Sequence, residues 1–589
     1  MSRKTTILMA ILTTICCSRA MAAAKPLKVY ILAGQSNMEG QAKVETFDYI
    51  GDDPNTAPML KDMRSPEGKP RVCEKVWISY LTGSPDSGEL GEGFGKLTAG
   101  YGSRSNPKED GGKIGPEYLF GITMEKAYDG PILIIKTAWG GKDLYCDFRP
   151  PNAGKTAYEI KPKWNKDREI GLYYRLMVEH VKKVLADPKR IVPDYDPKAG
   201  YEISGFVWFQ GWNDMCAGDI YPEGDKGPDG YKQYTELMAQ FIRDVRKDLS
   251  APKMPFVIGV IGVNGDKATG GLANLRPAMA GPAAIPEFKG NVAAVQTAPY
   301  WDYAMESLMG KKDEINRRFE AAYLLTNDGV IAKPDTSGPG WEPIGAPRPA
   351  DRVWRFLSFD PQNKADQLPK DEKKRFRNVT LPPGLEQWYM PGFDDSKWSS
   401  GKAPIGKGVW KHHTIGNAAV KFNSDWGAGE FLLMRTTFNV DKPDYESCRL
   451  VVLARQGFDV YLNGHKINTY IWWKDEPFYR PIVLEPQQVK YLKKGENVLA
   501  AYANVEYERR AKEPHASIDL AIEGITKEGL ANISSEEYIR KQMDKICTRE
   551  EQKIIAGASN GGYHYLGSAK IMAQIGKAFA EAMLKMEKK

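Results

Sequence analysis

Two hydrophobic patterns alternate along the first half of the chain. Five apolar runs of strand length occur between positions 25 and 332, namely LKVYILAG, GPILIIKTAWGG, ISGFVWFQGWND, PFVIGVIGV and NVAAVQTAP. Nearly unbroken apolar runs are typical of strands buried on both faces. Amphipathic segments such as GLYYRLMVEHVKKVLAD and YKQYTELMAQFIRDVRKDL separate them. The pattern predicts an α/β domain with a mostly parallel sheet.

The pattern changes after a stretch rich in proline and glycine. Residues 333–350, KPDTSGPGWEPIGAPRPA, have the composition of a linker. From 351 to 525, β-branched and aromatic runs alternate with turn signals such as Asn463-Gly464. We expect an all-β sandwich there, without a helix of convincing length.

Helical patterning returns in residues 526–589. The last helix, predicted in LGSAKIMAQIGKAFAEAMLKM, carries an apolar stripe that includes Ile571, Ile575 and Phe579. One such helix cannot form a core alone, so we expect it to pack on the α/β sheet. The β-sandwich is therefore predicted to be an insertion in one α/β domain made of residues 25–332 and 526–589.

The first 24 residues have the pattern of a cleavable signal peptide. Arg3 and Lys4 precede an apolar core, and small residues end the segment at Ala22–Ala24. The alternative is a buried N-terminal helix. The apolar core is too short to span a bilayer, so we expect a secreted or periplasmic protein without membrane anchoring.

Charge and cysteine content narrow the class of partner. Removal of the 24 residues lowers the formal charge from +7 to +4, because Arg3, Lys4 and Arg19 leave with them. Such a mild surplus predicts neither a nucleic-acid nor a membrane partner. The five remaining cysteines show no zinc-binding spacing. Protein partners are not indicated.

Small or polar residues follow three of the predicted strands. In chain order these clusters are Gln35-Ser36-Asn37, Gly140-Gly141 and Gln210-Gly211-Trp212-Asn213-Asp214. The carboxyl ends of parallel strands meet at one edge of a sheet. There the clusters would supply a hydroxyl nucleophile with backbone and amide donors, which acyl transfer requires. For Ser36 alone, a serine that only caps a turn is the alternative.

A serine nucleophile needs a base, and the chain has six histidines. His180 lies within a predicted helix, and four others fall in the predicted insertion: His412, His413, His465 and His515. His564 remains, in the loop ASNGGYHYLGSAK before the last helix. Elimination therefore predicts His564 as the general base. The alternative is a histidine that only begins the helix.

The blocks GQSNMEG, WGGKDL and WFQGWND, with a histidine before the last helix, resemble the SGNH hydrolases. More narrowly they are similar to the sialate O-acetylesterase-like branch, which includes secreted plant-polysaccharide acetylesterases. The resemblance implies a three-layer α/β/α, flavodoxin-like domain and no metal or cofactor. It implies Ser36 as nucleophile and His564 as base. The oxyanion donors would be the N–H of Ser36, the N–H of Gly140 or Gly141, and the Asn213 amide.

The inserted module has a resemblance of its own. Its FDDSKW stretch (393–398) and DVYLNG stretch (459–464) are similar to galactose-binding-like sandwiches. Several members of the sialate O-acetylesterase-like branch carry a sugar-binding-like β module inside the catalytic domain.

Two positions depart from the family pattern. The family usually has an aspartate three residues before the histidine, where this chain has Gly561 with Asn560 beside it. Trp212 stands where many members have glutamate. Asp302 is a candidate for the missing acid, with an ordinary exposed loop acid as the alternative. Asp214 is interpreted as part of the hydrogen-bonding scaffold of its block, with a triad member as the alternative. Gln35, Gln210 and Asn560 are further possible supporting residues of the site.

These observations predict a carbohydrate O-acetylesterase acting on an acetylated glycan. Acetylated sialic acid, xylan and xyloglucan all remain open as substrates. A rival hypothesis is a non-catalytic carbohydrate-binding protein on a decayed esterase scaffold, because Gly561 replaces the aspartate. Trp139, Trp212 and Trp301 are either sugar-stacking or core residues.

Overall fold

The computed structural model describes residues 25–83, 85, 90–104, 111–154, 169–325, 331–332, 340–361, 379–411, 419–455, 457–470, 478–504 and 516–588. The predicted signal peptide (1–24) and the first part of the predicted linker (333–339) lie outside these residues. The described residues form two compact units, one within residues 25–309 and 550–588 and one within residues 310–549. None of the described helices is long and apolar enough to cross a membrane.

A seven-stranded sheet forms the centre of the first unit. Its strands are β1 (Leu27–Gly34), β3 (Val76–Thr82), β4 (Gly91–Lys96), β6 (Ile132–Ala138), β7 (Tyr201–Phe209), β8 (Phe256–Val260) and β9 (Val292–Gln296). Their order is β4-β3-β6-β1-β7-β8-β9, and all neighbours are parallel except β3 and β4. Two further short strands, β2 (Ala42–Lys43) and β5 (Lys113–Ile114), pair with each other. The predicted α/β class with a mostly parallel sheet is confirmed.

Helices accompany this sheet along the chain. They are α1 (Ser36–Glu39), α2 (Asp48–Gly51), α3 (Ala57–Met63), α4 (Glu117–Ala127), α5 (Leu172–Ala186), α6 (Trp212–Cys216), α7 (Lys232–Asp248), α8 (Gly270–Ala280), α9 (Tyr303–Ser307), α14 (Arg549–Ala556) and α15 (Ala569–Glu587). Helices α5 and α7 occupy the two segments in which amphipathic helices were predicted.

The last helix packs on the sheet through contacts at two glycines. A Cβ at Gly205 would lie 2.3 Å from the Met583 sulfur, and one at Gly259 would lie 2.5 Å from the Phe579 ring. The absence of side chains at these strand positions lets α15 lie close to β7 and β8. This contact brings the C-terminal segment, and with it His564, into the first unit.

Strands β3 and β4 were not among the predicted runs. Ser79 and Tyr80 interrupt the apolar character of β3, although every residue of the strand is buried. The Ser79 hydroxyl is satisfied at 2.9 Å by His180 Nε2 and at 2.8 Å by Glu92 Oε1. These partners come from other elements, so the sequence of the strand does not reveal them.

The second unit contains a β-sandwich of two sheets. One sheet has the order β11-β10-β21-β18-β23-β15-β16, with β12 also pairing with β23, and the other has the order β14-β13-β17-β22-β19-β20. The strands are β10 (Tyr323–Leu325), β11 (Ile331–Ala332), β12 (Glu342–Pro343), β13 (Val353–Phe359), β14 (Ser399–Lys402), β15 (Ile405–Lys407), β16 (Ser424–Asp425), β17 (Phe431–Val440), β18 (Ser447–Arg455), β19 (Phe458–Leu462), β20 (His465–Tyr470), β21 (Phe478–Val483), β22 (Gly495–Asn504) and β23 (Ala516–Ile525).

The sandwich core lies between these two sheets. Its buried residues include Trp354 and Leu432 from one sheet and Leu450 and Ile518 from the other. Helices of this unit are α10 (Met309–Glu320), α11 (Pro486–Val489), α12 (Lys527–Ile533) and α13 (Glu536–Asp544). The predicted all-β interruption of the α/β domain is confirmed as a fold class.

The boundaries between the two compact units, at 309/310 and 549/550, differ from the predicted domain boundaries at 332 and 525. Strand β10 precedes the predicted boundary at 332, yet it pairs with β21 of the sandwich through Tyr323 and Tyr479. The described part of the predicted linker contains β12, which pairs with β23.

Candidate active site

The nucleophile candidate lies at the end of the central strand. Strand β1 ends at Gly34, and Ser36 is the first residue of α1, where it is buried. A Cβ at Gly34 would lie 2.1 Å from the Phe209 carbonyl oxygen, so only glycine lets β1 turn this close to β7. No acceptor for the Ser36 N–H is found among the described residues, as is usual in the first turn of a helix.

Gln35 joins the first polar cluster to the third. Its Oε1 accepts from the Gly211 N–H at 3.0 Å and the Asn213 N–H at 3.3 Å, and its Nε2 donates to Asn213 Oδ1 at 2.9 Å. The Asn213 amide oxygen is therefore occupied. Its Nδ2 group, which has no acceptor among the residues described, is left to donate to a ligand.

The second cluster lies beside the serine. Gly34 pairs with Ala138 in the sheet, and the Trp139 N–H donates to the Gly34 carbonyl at 3.1 Å. A Cβ at Gly140 would lie 3.7 Å from Ser36 Cβ. Gly141 follows with φ +74°, a conformation that favours glycine. Both glycines are exposed, so a ligand can approach their backbone next to Ser36, although the Gly140 backbone also hydrogen-bonds to the Glu39 carboxyl.

The loop that carries His564 is tied to the nucleophile turn. Asn37 Nδ2 donates to the Tyr563 carbonyl at 3.1 Å, across 526 positions of sequence. Tyr565 and Leu566 adopt positive φ values of 52° and 60°, which is costly for residues with side chains. The Tyr565 hydroxyl, which accepts from the Gly262 N–H at 2.7 Å, holds this strained turn against the sheet.

Asn560 orients His564. Its Oδ1 lies 3.2 Å from His564 Nδ1 and accepts from the Gly561 N–H at 2.7 Å. The bond from Gly561 fixes which end of the amide is the oxygen, so the oxygen faces the ring. His564 Nδ1 then carries the proton, and Nε2 keeps its lone pair for a proton from a nucleophile. A neutral amide thus occupies the orienting position.

The protonation of His564 follows from its surroundings. Burial, and secondarily the positive charge of Lys113, lower the pKa of His564 to about 4. Asn560 carries no negative charge that could raise it. The imidazole is therefore neutral, and able to accept a proton, at any pH well above that value.

Asp302 does not contact His564. It is the N-cap of α9, where its Oδ1 accepts from the Met305 N–H at 3.0 Å. Its Oδ2 accepts from the Tyr49 hydroxyl at 2.9 Å and lies 3.4 Å from Lys570 Nζ. Asp302 therefore does not orient His564. Its side chain is only 10% exposed, so it is not an exposed loop acid either.

Asp214 lies beneath the site as a buried acceptor. It accepts from the N–H groups of Leu144 at 2.8 Å and Tyr145 at 3.2 Å, from Gln210 Nε2 at 2.6 Å and from the Tyr221 hydroxyl at 3.2 Å. Burial, and secondarily the charge of Asp143, raise the pKa of Asp214 to about 7. These bonds hold the segment after Gly140-Gly141 on the third cluster.

Three charged residues of this region, Lys136, Glu117 and Glu39, were not predicted from the sequence. Lys136 of β6 is fully buried, and its Nζ donates at 2.7 Å to the Glu39 carbonyl, at 2.7 Å to the Tyr101 carbonyl and at 2.9 Å to Glu117 Oε2. It thereby holds the end of α1. Burial raises the pKa of the Glu39 carboxyl, opposed by hydrogen bonds from Ser103 and the Gly140 backbone and by the Lys136 charge. The signal in the sequence was a lysine inside the apolar run ILIIKTA.

The other histidines make no contact with this group among the described residues. His180 is 5% exposed and bonded to Ser79, and burial lowers its pKa to about 4. His465 stacks on Tyr491 in the sandwich unit, with ring centroids 4.0 Å apart. His412, His413 and His515 lie outside the described residues.

The three tryptophans differ in their surroundings. Trp139 and Trp301 are buried core residues. Trp212 is half-buried, and its ring centroid lies 6.1 Å from that of Tyr563. Within the described ranges, no group of three or more His, Cys, Asp or Glu side chains is arranged to hold a metal ion.

The middle of the first unit matches a known family. Residues 102–297 match the family model of carbohydrate esterases described as sialic acid-specific acetylesterases. This chain resembles the sialic acid-specific carbohydrate esterases. The match confirms the resemblance predicted from the sequence blocks, and carbohydrate esterases are hydrolases that act on esters. Gly140, Gly141 and Asn213 lie within the matched residues, whereas Ser36 and His564 lie outside them. No curated protein matches the chain.

Solved structures include similar chains of low sequence identity. A protein from Arabidopsis thaliana is 19% identical over 46% of this chain and 86% of its own, with a TM-score of 0.27. A carbohydrate acetylesterase from Xanthomonas citri is 13% identical over 85% of this chain and 78% of its own, with a TM-score of 0.28. NanS is 14% identical over 47% of this chain and 79% of its own, with a TM-score of 0.26. At these scores the similarities carry no inference about individual residues.

Proposed function

We propose that this protein is a carbohydrate O-acetylesterase with Ser36 as its nucleophile and His564 as its general base. The observation that carries the proposal is the convergence of three loops. Gln35 bonds to Asn213, and Asn37 bonds to the carbonyl of Tyr563, the residue before His564. A serine, an oriented imidazole and unused donors therefore belong to one connected group.

In the proposed first step, Ser36 Oγ attacks the acetyl carbonyl carbon. His564 Nε2 takes the hydroxyl proton, while Nδ1–H stays bonded to the Asn560 oxygen. The carbonyl oxygen becomes an oxyanion, which the Ser36 N–H, the Asn213 Nδ2 group and a glycine N–H at 140 or 141 stabilise. The bond to the sugar oxygen then breaks, and the imidazolium returns its proton to that oxygen.

In the second step, water hydrolyses the acetyl-serine. His564 removes a proton from the water, whose oxygen attacks the acetyl carbon in the same oxyanion environment. Acetate leaves, and Ser36 recovers its proton from the imidazolium. Apart from this water, the chemistry of the proposal uses only groups of the chain.

The substrate and the location are part of the proposal. We expect an O-acetylated glycan, with sialic acid or a plant polysaccharide such as xylan or xyloglucan as its sugar. The signal-like first 24 residues support export to the periplasm or the medium.

Acetate release tests the proposal. We expect the purified protein to hydrolyse 4-nitrophenyl acetate, and both Ser36→Ala and His564→Ala to lower kcat by about a thousandfold or more. Tyr201→Ala, at the opposite end of β7, is the matched control for surface substitution and is expected to keep the rate. Equal rates in the wild type and Ser36→Ala would contradict the proposed nucleophile.

The binding-only hypothesis makes the opposite prediction. A decayed scaffold would bind acetylated glycans without releasing acetate, and Ser36→Ala would change neither property. The unused Asn213 donor and the fixed orientation of His564 favour the esterase, because binding alone requires neither.

A further inference from the structure

The side chain of Tyr563 has no part in the proposed chemistry, although it directly precedes His564. It is 50% exposed, and its ring centroid lies 4.4 Å from that of His564. Single exposed aromatic residues are ordinary on protein surfaces, so exposure alone indicates nothing. Its location is what distinguishes Tyr563, since its carbonyl is the group that Asn37 binds beside Ser36.

Trp212 completes a pair with Tyr563. The two ring centroids are 6.1 Å apart at an interplanar angle of 43°. Trp212 is half-buried and directly precedes Asn213, the proposed oxyanion donor. The pair, which we call the aromatic platform, therefore joins the loop of His564 to the helix of Asn213.

Gly561 leaves room for this arrangement. Its backbone angles, φ −70° and ψ 167°, are open to any residue, so the conformation does not require glycine. A Cβ at this position, however, would lie 2.8 Å from Tyr563 Cε1, well inside van der Waals contact. The aspartate usual in the family could not stand here without displacing the Tyr563 ring. The departure at Gly561 and the placement of Tyr563 are thus linked.

We propose that the aromatic platform binds a sugar ring of the acetylated glycan and makes Tyr563 a specificity-determining residue. This inference rests on the proposed esterase function. Pyranose rings present C–H groups on their flat faces, and aromatic faces carry the negative part of the ring quadrupole, so the two surfaces attract each other. A sugar held there would keep its acetyl group beside Asn213 and His564.

The aromatic platform is uncharged, so it recognises the ring and not a carboxylate. Both an acidic sugar such as sialic acid and a neutral one such as xylose offer the required C–H face. The contribution of the platform should therefore be seen with sugar esters of either kind and be absent with an ester that has no sugar.

Steady-state kinetics with three probes test this inference: O-acetylated N-acetylneuraminic acid, acetylated xylobiose and 4-nitrophenyl acetate. We expect Tyr563→Ala to raise KM by about tenfold for the sugar ester that the wild type hydrolyses, in line with the loss of one aromatic contact. Its kcat/KM for 4-nitrophenyl acetate should fall by a much smaller factor than its kcat/KM for the sugar ester. Tyr563→Phe should behave as wild type, because it keeps the ring. Tyr201→Ala is the control, since Tyr201 is 44% exposed at the other end of β7.

Each other outcome overturns the inference in a recognisable way. An unchanged sugar-ester KM in Tyr563→Ala would show that the ring does not bind sugar. Equal losses on all probes would show that Tyr563 acts only by supporting His564. Hydrolysis of 4-nitrophenyl acetate that depends on Ser36, with neither sugar ester turned over, would refute the platform and leave the esterase standing. Absence of any Ser36-dependent hydrolysis would refute the proposed function itself.

A second variant tests the link to Gly561. Gly561→Ala adds only the Cβ that would meet the Tyr563 ring. We expect its KM for the sugar ester to rise with little change for 4-nitrophenyl acetate. No further rise is expected when it is combined with Tyr563→Ala, because both changes remove the same contact. Additive effects in the double variant would contradict the link.

Discussion

The nucleophile turn, residues 34–40, and the histidine loop, residues 558–568, are held in place by different means. The turn follows the central strand, and a buried ion pair between Lys136 and Glu117 supports it from beneath. The histidine loop depends on hydrogen bonds within itself, on the Tyr565 anchor and on one bond from Asn37. Sheet geometry thus positions the serine, whereas hydrogen bonds, some within the loop and some to distant segments, position the histidine.

This difference explains what the sequence could predict. Apolar strand runs that end in polar clusters determine where Ser36, Gly140 and Asn213 meet, because neighbouring parallel strands share one carboxyl edge. His564 was predicted as the base by elimination and by resemblance. Asn560 was predicted only as a possible supporting residue without a stated contact, because an asparagine before two glycines has the pattern of a turn whether or not it bonds to a ring. Only the folded chain shows which atom its amide faces.

Two other misses have the same physical origin. Lys136 looked like part of an apolar strand, and its partners come from α1, α4 and the segment before β5. Asp302 was a candidate for the substitute acid, with an exposed loop acid as the alternative, because it follows the fifth predicted strand; in the structure it caps a helix and bonds to Tyr49. Tertiary partners of polar residues are not encoded in periodicity.

The largest effect is expected from a substitution that removes the support of the nucleophile turn. Lys136→Met leaves the buried Glu117 carboxyl without its ion-pair partner, and it removes the donor that holds the end of α1. We expect the free energy of unfolding to fall by about 3–5 kcal/mol, as for other broken buried ion pairs. Urea denaturation followed by circular dichroism measures it. Lys136→Met with Glu117→Gln should recover part of the loss, and a single variant as stable as wild type would contradict the support described here.

The next largest effect is expected from a substitution in the histidine loop that leaves the nucleophile turn unchanged. Asn560→Ala removes the acceptor of His564 Nδ1, so the ring loses its fixed tautomer and orientation. We expect kcat on 4-nitrophenyl acetate to fall by about a hundredfold, as misplaced catalytic groups commonly cause. Circular dichroism should show an unchanged fold. A rate equal to wild type would mean that another group orients the ring.

A negative charge at position 560 tests the environment of His564 separately from the nucleophile turn. In the wild type, His564 must be neutral to act, and its pKa of about 4 means that the rate falls only as pH drops through that value. Asn560→Asp places a negative charge beside the ring, which favours the imidazolium and raises its pKa. The acid limb of the kcat/KM profile should therefore move to higher pH by about one unit or more. An unmoved limb would show that His564 is not the titrating base.

The smallest effect is expected at the histidine that lies outside both regions. His180 bonds to Ser79 within the sheet unit and is 5% exposed. His180→Ala should lower stability by about 1–3 kcal/mol, because a buried hydrogen bond is lost. Its kcat on 4-nitrophenyl acetate should match wild type at a temperature where both are folded. A loss as large as that of His564→Ala would overturn the assignment of the base.

Covalent labelling tests the central claim most directly. A fluorophosphonate probe reacts with a serine only when a neighbouring base activates it, so it reports the Ser36–His564 pair without any choice of sugar. Digestion and mass spectrometry should locate the adduct on the peptide that contains Ser36 in the wild type, and His564→Ala should show almost none at the same exposure. An adduct on another residue, or equal labelling of Ser36 in the two proteins, would contradict the account.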